Sequence, residues 1–232
     1  MKNIGVLVCD DLHAELVPEW RTYFGLFERF LETPDQTLTT HAFRVHAGEW
    51  PSRPEQMDGW VITGSRASVH ESPAWVPPLM AFVRSIDKAM RPLVGICFGH
   101  QIIHAALGGQ TARADAGWQL GSYPVVCEVP FASRKTGEPL HLFAVHQDQV
   151  VQAAPNFTRL ATSEQVPWYA SSRGKILTIQ GHPEFDRKFF VALMEQVRPK
   201  AGDLLVDRAI AQLPREDHSQ PVREAIRQWL QG

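Results

Sequence analysis

Cys97 stands at the centre of Leu93-Val94-Gly95-Ile96-Cys97-Phe98-Gly99-His100-Gln101. A short apolar run, Leu93–Ile96, has the pattern of a buried strand and leads straight into it. A helical pattern, Phe98–Leu107, leads out and is closed by Gly108-Gly109. Gly-x-Cys-x-Gly between a strand and a helix is the nucleophile-elbow pattern with Cys in place of Ser. The turn is sharp, so neighbouring side chains must be small, and Gly95 and Gly99 supply that room. At a helix N-terminus, free N–H groups and the helix dipole favour a thiolate, the form of cysteine that attacks carbonyl carbon. The alternative is a structural cysteine in a tight turn.

A second pattern, Thr178-Ile179-Gln180-Gly181-His182-Pro183-Glu184, follows the strand-like run Ile176–Gln180. Pro183 biases His182 toward extended backbone. Residues two apart on extended chain point the same way, so His182 and Glu184 share a side. A carboxylate beside an imidazole is the base-plus-orienter half of a nucleophilic triad. The alternative is a surface turn of ordinary composition.

Taken together and in this order, Gly-Ile-Cys-Phe-Gly-His-Gln and Gln-Gly-His-Pro-Glu-Phe resemble the class I glutamine amidotransferase family. Val61-Ile62-Thr63-Gly64-Ser65-Arg66 and His146-Gln147-Asp148-Gln149-Val150 resemble further motifs of its stand-alone members. Those members are similar to the amidotransferase domain of GMP synthase and to plant γ-glutamyl peptidases. The resemblance covers residues 1–195. It implies a flavodoxin-like three-layer α/β sandwich whose central sheet is mostly parallel, with extra antiparallel strands. It also implies that Cys97 is the nucleophile, His182 the general base and acid, and Glu184 its orienter. Backbone N–H groups of Gly64 and Phe98 would form the oxyanion hole, which agrees with the general build of an elbow. Gln101, Arg66 and the segment His146, Gln147, Asp148 would meet the substrate. The plain alternatives are a helix-surface amide for Gln101, a solvated arginine for Arg66 and a turn carboxylate for Asp148. Many members have consecutive glycines where this chain reads Gly64-Ser65-Arg66, so the detail of the oxyanion loop differs here.

The chemistry implied is hydrolysis of the γ-amide of glutamine or a γ-glutamyl compound through a γ-glutamyl thioester, with no cofactor. Two enzymatic readings stand side by side: an amidotransferase subunit passing ammonia to a synthase, and a stand-alone γ-glutamyl peptidase. Residues 196–232 are too few for a synthase domain, so any synthase partner is expected as another chain. A third reading, a non-catalytic regulatory or binding protein on the same fold, would be marked by loss of a triad residue, and all three are present. The Cys-elbow stress proteins place His directly after the nucleophile, where this chain has Phe98.

These residues need elements to hold them. Ile4–Cys9, Thr40–His46, Trp60–Thr63 and Leu93–Ile96 read as strands, with helices over Trp20–Leu31, Trp75–Met90 and Phe98–Leu107 between them. The second half, Val125–Val129, Leu140–Val145, Arg159–Thr162, Trp168–Ser171 and Ile176–Gln180, reads as short antiparallel strands. Alternation first and strands later predict a mainly parallel sheet with antiparallel additions at one edge. Pro214–His218 reads as an exposed linker before a last helix, capped by Ser219 and carrying an apolar stripe through Val222, Ala225, Ile226, Trp229 and Leu230. That helix is expected to pack on the domain as a helical extension over 196–232, the alternative being a homodimer contact. Gly117-Trp118-Gln119-Leu120-Gly121 reads equally as a loop at the site mouth or a packed turn.

Composition bounds the rest. The 232 residues carry 23 Lys+Arg against 25 Asp+Glu, a net charge of −2, which argues against a nucleic-acid partner. No apolar run reaches the length of a membrane span, and the N-terminal run is too short for a signal peptide, so the expected location is the cytoplasm. Three cysteines without close spacing make neither a disulfide framework nor a zinc ribbon, and Cys9 and Cys127 read as core. His100 and His104 are four apart on one helix but have no third ligand in view, so no metal is expected. The expected partner is a small molecule.

Overall fold

The computed structural model describes residues 1–32, 37–214 and 216–232. Its first half alternates as expected: β1 (Lys2–Val8), α1 (Val17–Trp20), α2 (Tyr23–Leu31), β2 (Leu38–Arg44), β3 (Gly59–Ile62), α3 (Val76–Lys88), β4 (Leu93–Ile96) and α4 (Phe98–Ala106). Shorter strands follow: β5 (Gln110–Arg113), β6 (Gln119–Gly121), β7 (Val125–Cys127), β8 (Pro139–Leu140), β9 (Ala144–His146), β10 (Asp148–Gln152), β11 (Thr158–Thr162), β12 (Ala170–Arg173) and β13 (Ile176–Ile179). The chain closes with α5 (Arg187–Ala201), α6 (Asp203–Ala211) and α7 (Ser219–Gln231).

Among the described residues one nine-stranded sheet has the order β2-β1-β3-β4-β13-β12-β11-β7-β8. Pairing is parallel from β2 through β13 and antiparallel from β13 outward. This is the mostly parallel sheet with an antiparallel edge. The pairs β10-β5 and β6-β9 stand beside it.

The strand pleat sorts side chains into two cores. Ile4, Val6, Val8, Val61, Val94 and Ile96 join a cluster with α2, α5 and α7. Leu7, Cys9, Trp60, Ile62 and Leu93 join a second with α3 and α4. Helices therefore cover both faces, which is the three-layer build. Strand order reverses between β1 and β3, and in such sheets the ligand crevice lies outside the carboxyl ends of the strands at the reversal. The ends of β1, β3, β4 and β13 all deliver residues there.

Several details differ from the sequence expectation. The helix expected over Trp20–Leu31 is broken at Arg21, whose φ is 65°, because Thr22 starts a new helix by accepting from Gly25 N–H at 3.0 Å. The strand expected over Leu140–Val145 is divided between β8 and β9. The sequence patterns show no helix starting at Arg187, and α5 runs unbroken through residue 195 into the helical extension, in which α6 also lies. Ser219 is not the cap of α7. Its hydroxyl bonds Asp217 Oδ1 at 2.6 Å, and the capping position falls on His218, which makes no side-chain cap. The segment 214–218 is not simply exposed either: His218 is buried and its ring accepts from His141 N–H at 3.0 Å. Arg215 lies outside the described residues. On α7 the side chains of Val222, Ile226 and Leu230 are buried against the same core as α2.

Candidate active site

Cys97 links β4 to α4 with φ 53° and ψ −105°, a conformation that costs a non-glycine residue about 1–3 kcal/mol. The flanking glycines allow it. A Cβ on Gly95 would meet the carbonyl oxygen of Gly99 at 2.5 Å, and a Cβ on Gly99 would overlap the backbone of Ile62. Cys97 N–H donates to Ile179 O at 2.9 Å, so the ladder between β4 and β13 ends at the thiol-bearing residue. Phe98 opens α4, where the first N–H groups of any helix have no intrahelical acceptor.

His182 follows β13, which runs parallel to β4 with Ile179 opposite Ile96. Its Nδ1 lies 2.7 Å from Glu184 Oε1, with both side chains buried. The ring stacks on Phe185, with centroids 4.1 Å apart and planes 4° apart. The Cys97 sulfur is near enough to His182 to favour its protonated form. Burial alone would push His182 down, but Glu184 and the cysteine sulfur overcome it and raise its pKa to about 10. Near neutrality the ring is an imidazolium.

Gly64 lies against both groups. A Cβ there would come 3.7 Å from Cys97 Cβ, 3.0 Å from His182 Cε1 and 2.5 Å from the Tyr23 hydroxyl. Tyr23 is a neighbour that the sequence patterns did not reveal. Its hydroxyl stands 3.5 Å from Glu184 Oε1, long for a hydrogen bond, and burial with the Glu184 charge pushes its proton affinity well up. Nothing near Tyr23 in the chain marks it; only the folding of α2 over the ends of the strands brings it here.

A cavity of about 300 Å³ opens onto Cys97 and His182, and Gln101, Arg66, His146, Gln147 and Asp148 all line it. Most of these are already engaged. Gln101 Nε2 donates to Asp148 O at 2.7 Å and Gln180 Oε1 at 3.2 Å, which leaves its carbonyl without a partner among the described residues. His146, which burial lowers to about 3, is neutral. Its Nδ1–H donates to Asp148 O at 3.0 Å, so Nε2 accepts from the Tyr123 hydroxyl at 2.9 Å. Asp148 accepts a short bond from Ser68 and faces Arg113 Nε at 3.6 Å. Arg66 is not a freely solvated arginine. Its guanidinium grips Asp10 through bonds of 2.6 and 2.9 Å, and its backbone N–H bonds the same carboxylate. Ser65 Oγ donates to Cys9 O at 2.9 Å, so the departure from consecutive glycines is absorbed by anchoring the loop to β1. Trp118 reaches the cavity, while Gln119–Gly121 pairs as β6, so both readings of that segment hold in part.

The remaining polar groups of the elbow helix are structural. His104 accepts from Ala154 N–H at 3.1 Å and its Nε2–H donates to Ser171 Oγ at 3.0 Å. His100 packs its ring against His104, with centroids 5.0 Å apart. Among the described residues no group of three or more His, Cys, Asp or Glu is placed to hold a metal ion, and no helix is long and apolar enough to cross a membrane. Cys9 and Cys127 are buried, and burial pushes both thiols up.

An elbow cysteine at the carboxyl end of β4, beside the reversal between β1 and β3, with a histidine–carboxylate pair just after the neighbouring strand β13, defines a thiol-bearing α/β domain. The family within that class is shown directly: residues 35–192 match the model of the class-I glutamine amidotransferases, and the chain belongs to that family. It is 33% identical over 188 residues to gamma-glutamyl peptidase 4 of Arabidopsis thaliana, covering 76% of this chain and 74% of that protein. It is 31% identical over 143 residues to a GMP synthase (glutamine-hydrolyzing) of Stenotrophomonas maltophilia, covering 58% of this chain and 27% of that protein. Its fold matches a glutamine amidotransferase of Thermotoga maritima at TM-score 0.75 and 20% identity, over 99% of each chain.

Proposed function

We propose that the protein hydrolyses γ-glutamyl amides with Cys97 as nucleophile. The observation that carries this is Cys97 and His182 on one cavity, with Glu184 2.7 Å from His182 Nδ1 to orient the imidazole. The Cys97 sulfur attacks the γ-carbonyl carbon, forming a C–S bond and an oxyanion. The N–H groups of Phe98 and Gly64 are the candidate donors to that oxyanion, each worth about 3 kcal/mol in such sites. His182 gives its proton to the leaving nitrogen, the C–N bond breaks, and a γ-glutamyl thioester remains. The now neutral His182 takes a proton from water, which attacks the thioester and releases glutamate, restoring the thiol pair.

The stand-alone peptidase reading is favoured over ammonia transfer to a synthase partner by the 33% identity to a γ-glutamyl peptidase and by the cavity wall described below. The test is turnover of glutamine and γ-glutamyl dipeptides by the isolated protein, with intact-mass detection of a glutamyl adduct. Loss of both turnover and adduct in Cys97→Ala is the expected result. Undiminished turnover in that variant would sink the proposal. An intact wild type with no turnover and no adduct would turn the reading toward a partner-dependent or non-catalytic protein.

A further inference from the structure

The leaving nitrogen of a γ-glutamyl amide takes its proton from His182, so what flanks His182 flanks the leaving group. Phe185 stacks on the His182 ring, and Phe189 follows it with centroids 4.6 Å apart. Leu193, Val197 and Lys200 continue at helical spacing along α5, and all five residues line the cavity. Leu12 and Leu16, from the segment after β1, line the same cavity. The apolar part of this wall, from Phe189 to Val197, rises about 12 Å along the helix, with Gln196 also lining it and Lys200 about 16 Å from Phe189. An apolar wall of that length does nothing for an ammonia leaving group, which is small and polar.

Charge at the end of the wall adds a second observation. Three cationic side chains other than histidine line the cavity: Arg66, Arg113 and Lys200. Arg66 is paired with Asp10 and Arg113 with Asp148. Lys200 is exposed and makes no ion pair among the described residues. His13 lies close enough for burial, Arg66 and Lys200 to weaken its hold on a proton, so these groups share one mouth.

We propose that the part of the cavity between α5 and the segment Leu12–Leu16 is a leaving-group subsite. It takes a peptide with an apolar side chain next to the scissile amide and, several residues on, a terminal carboxylate that Lys200 holds. The inference rests on the γ-glutamyl hydrolase reading and names its substrate class. The bond changes are those already given: the peptide leaves as a free amine carrying the His182 proton, and nothing else is consumed but water.

The test compares kcat/KM of the wild type for glutamine, γ-Glu-Gly, γ-Glu-Leu, γ-Glu-Leu-Gly-Gly-Gly, whose leaving peptide spans about 14 Å, and the C-terminal amide of the last. γ-Glu-Leu should exceed γ-Glu-Gly about tenfold from burial of the isobutyl group. The free acid should exceed its amide about three- to fivefold, the size expected of an exposed ion pair. Lys200→Glu should abolish or invert that acid-over-amide ratio. The same peptides are titrated calorimetrically against Cys97→Ala, which reads the subsite without chemistry. Equal values for Leu and Gly, or an acid-over-amide ratio that Lys200→Glu does not move, overturns the subsite. If no peptide is turned over while the acid still binds better than its amide, the hydrolase reading falls and the subsite stands.

Discussion

Replacing Glu184 by Gln keeps the shape of the carboxylate and removes its charge. In the native protein His182 holds its proton up to about 10, against an ordinary value of 6.5. At 1.36 kcal/mol per tenfold change in proton affinity, the surroundings favour imidazolium by about 5 kcal/mol. Burial works against that charge, so the gain comes from Glu184 and the Cys97 sulfur. A neighbouring opposite charge accounts for about one to three tenfold steps of such a gain. In Glu184→Gln the alkaline limb of kcat/KM should therefore move down by about one to three pH units. The rate at its optimum should fall by about 10²–10⁴, because an amide can offer its NH₂ to Nδ1 and hold the wrong tautomer. Stability follows the same sign. His182 is raised on folding, so its contribution is whole below about pH 6.5 and is lost as pH rises through about 10. The variant should be destabilised near neutrality and match the wild type above about pH 10. The assay is a pH profile of γ-glutamyl anilide release beside urea melts at two pH values. A variant with wild-type rates and an unmoved alkaline limb would refute the assignment of Glu184 as the group that orients and charges His182.

Tyr23→Phe removes a hydroxyl 3.5 Å from Glu184 Oε1, so kcat should fall only about two- to tenfold, measured at fixed saturating substrate. Gly99→Ala forces a methyl group onto the Ile62 backbone and should cost about 1–3 kcal/mol in denaturant melts, with a larger relative loss of activity as the elbow shifts. Leu230→Ala, at a fully buried position of α7, should cost about 2–5 kcal/mol and lower Tm by roughly 4–20 °C by calorimetry. An unchanged Tm there would mean that α7 contributes nothing to the core.

Local pattern carried the elbow and the histidine pair, because each depends on neighbours within a few residues. Gly95 and Gly99 announce the turn at Cys97, and His182 and Glu184 are only two residues apart, although a turn at Pro183–Glu184 rather than extended chain brings them together. The covering of the sheet on both faces was legible from the continuous apolar runs of β1, β3 and β4. Tyr23 was not, because only the fold carries α2 over the strand ends. The inner wall of α5 was also hidden. Its apolar residues divide between core and cavity, and Pro199 followed by Gly202 blurs the end of the helix. The engagement of Arg66 by Asp10 joins two loops remote in sequence, and no single-chain pattern reports such a pair.

The register of β4 against β13 has a consequence for how the protein comes into being. Cys97 is synthesised well before His182, yet they become neighbours through one parallel ladder whose last rung is Cys97 N–H to Ile179 O. Everything from α4 to β12 is threaded between the two strands. Parallel pairing over such a loop is slow to form, so chemical competence should be among the last properties gained on refolding. Recovery of helical circular dichroism should precede recovery of γ-glutamyl hydrolysis. On the ribosome, the nascent chain would carry the proposed nucleophile without its proposed base until the segment after β13 has emerged, which would keep the thiol quiet.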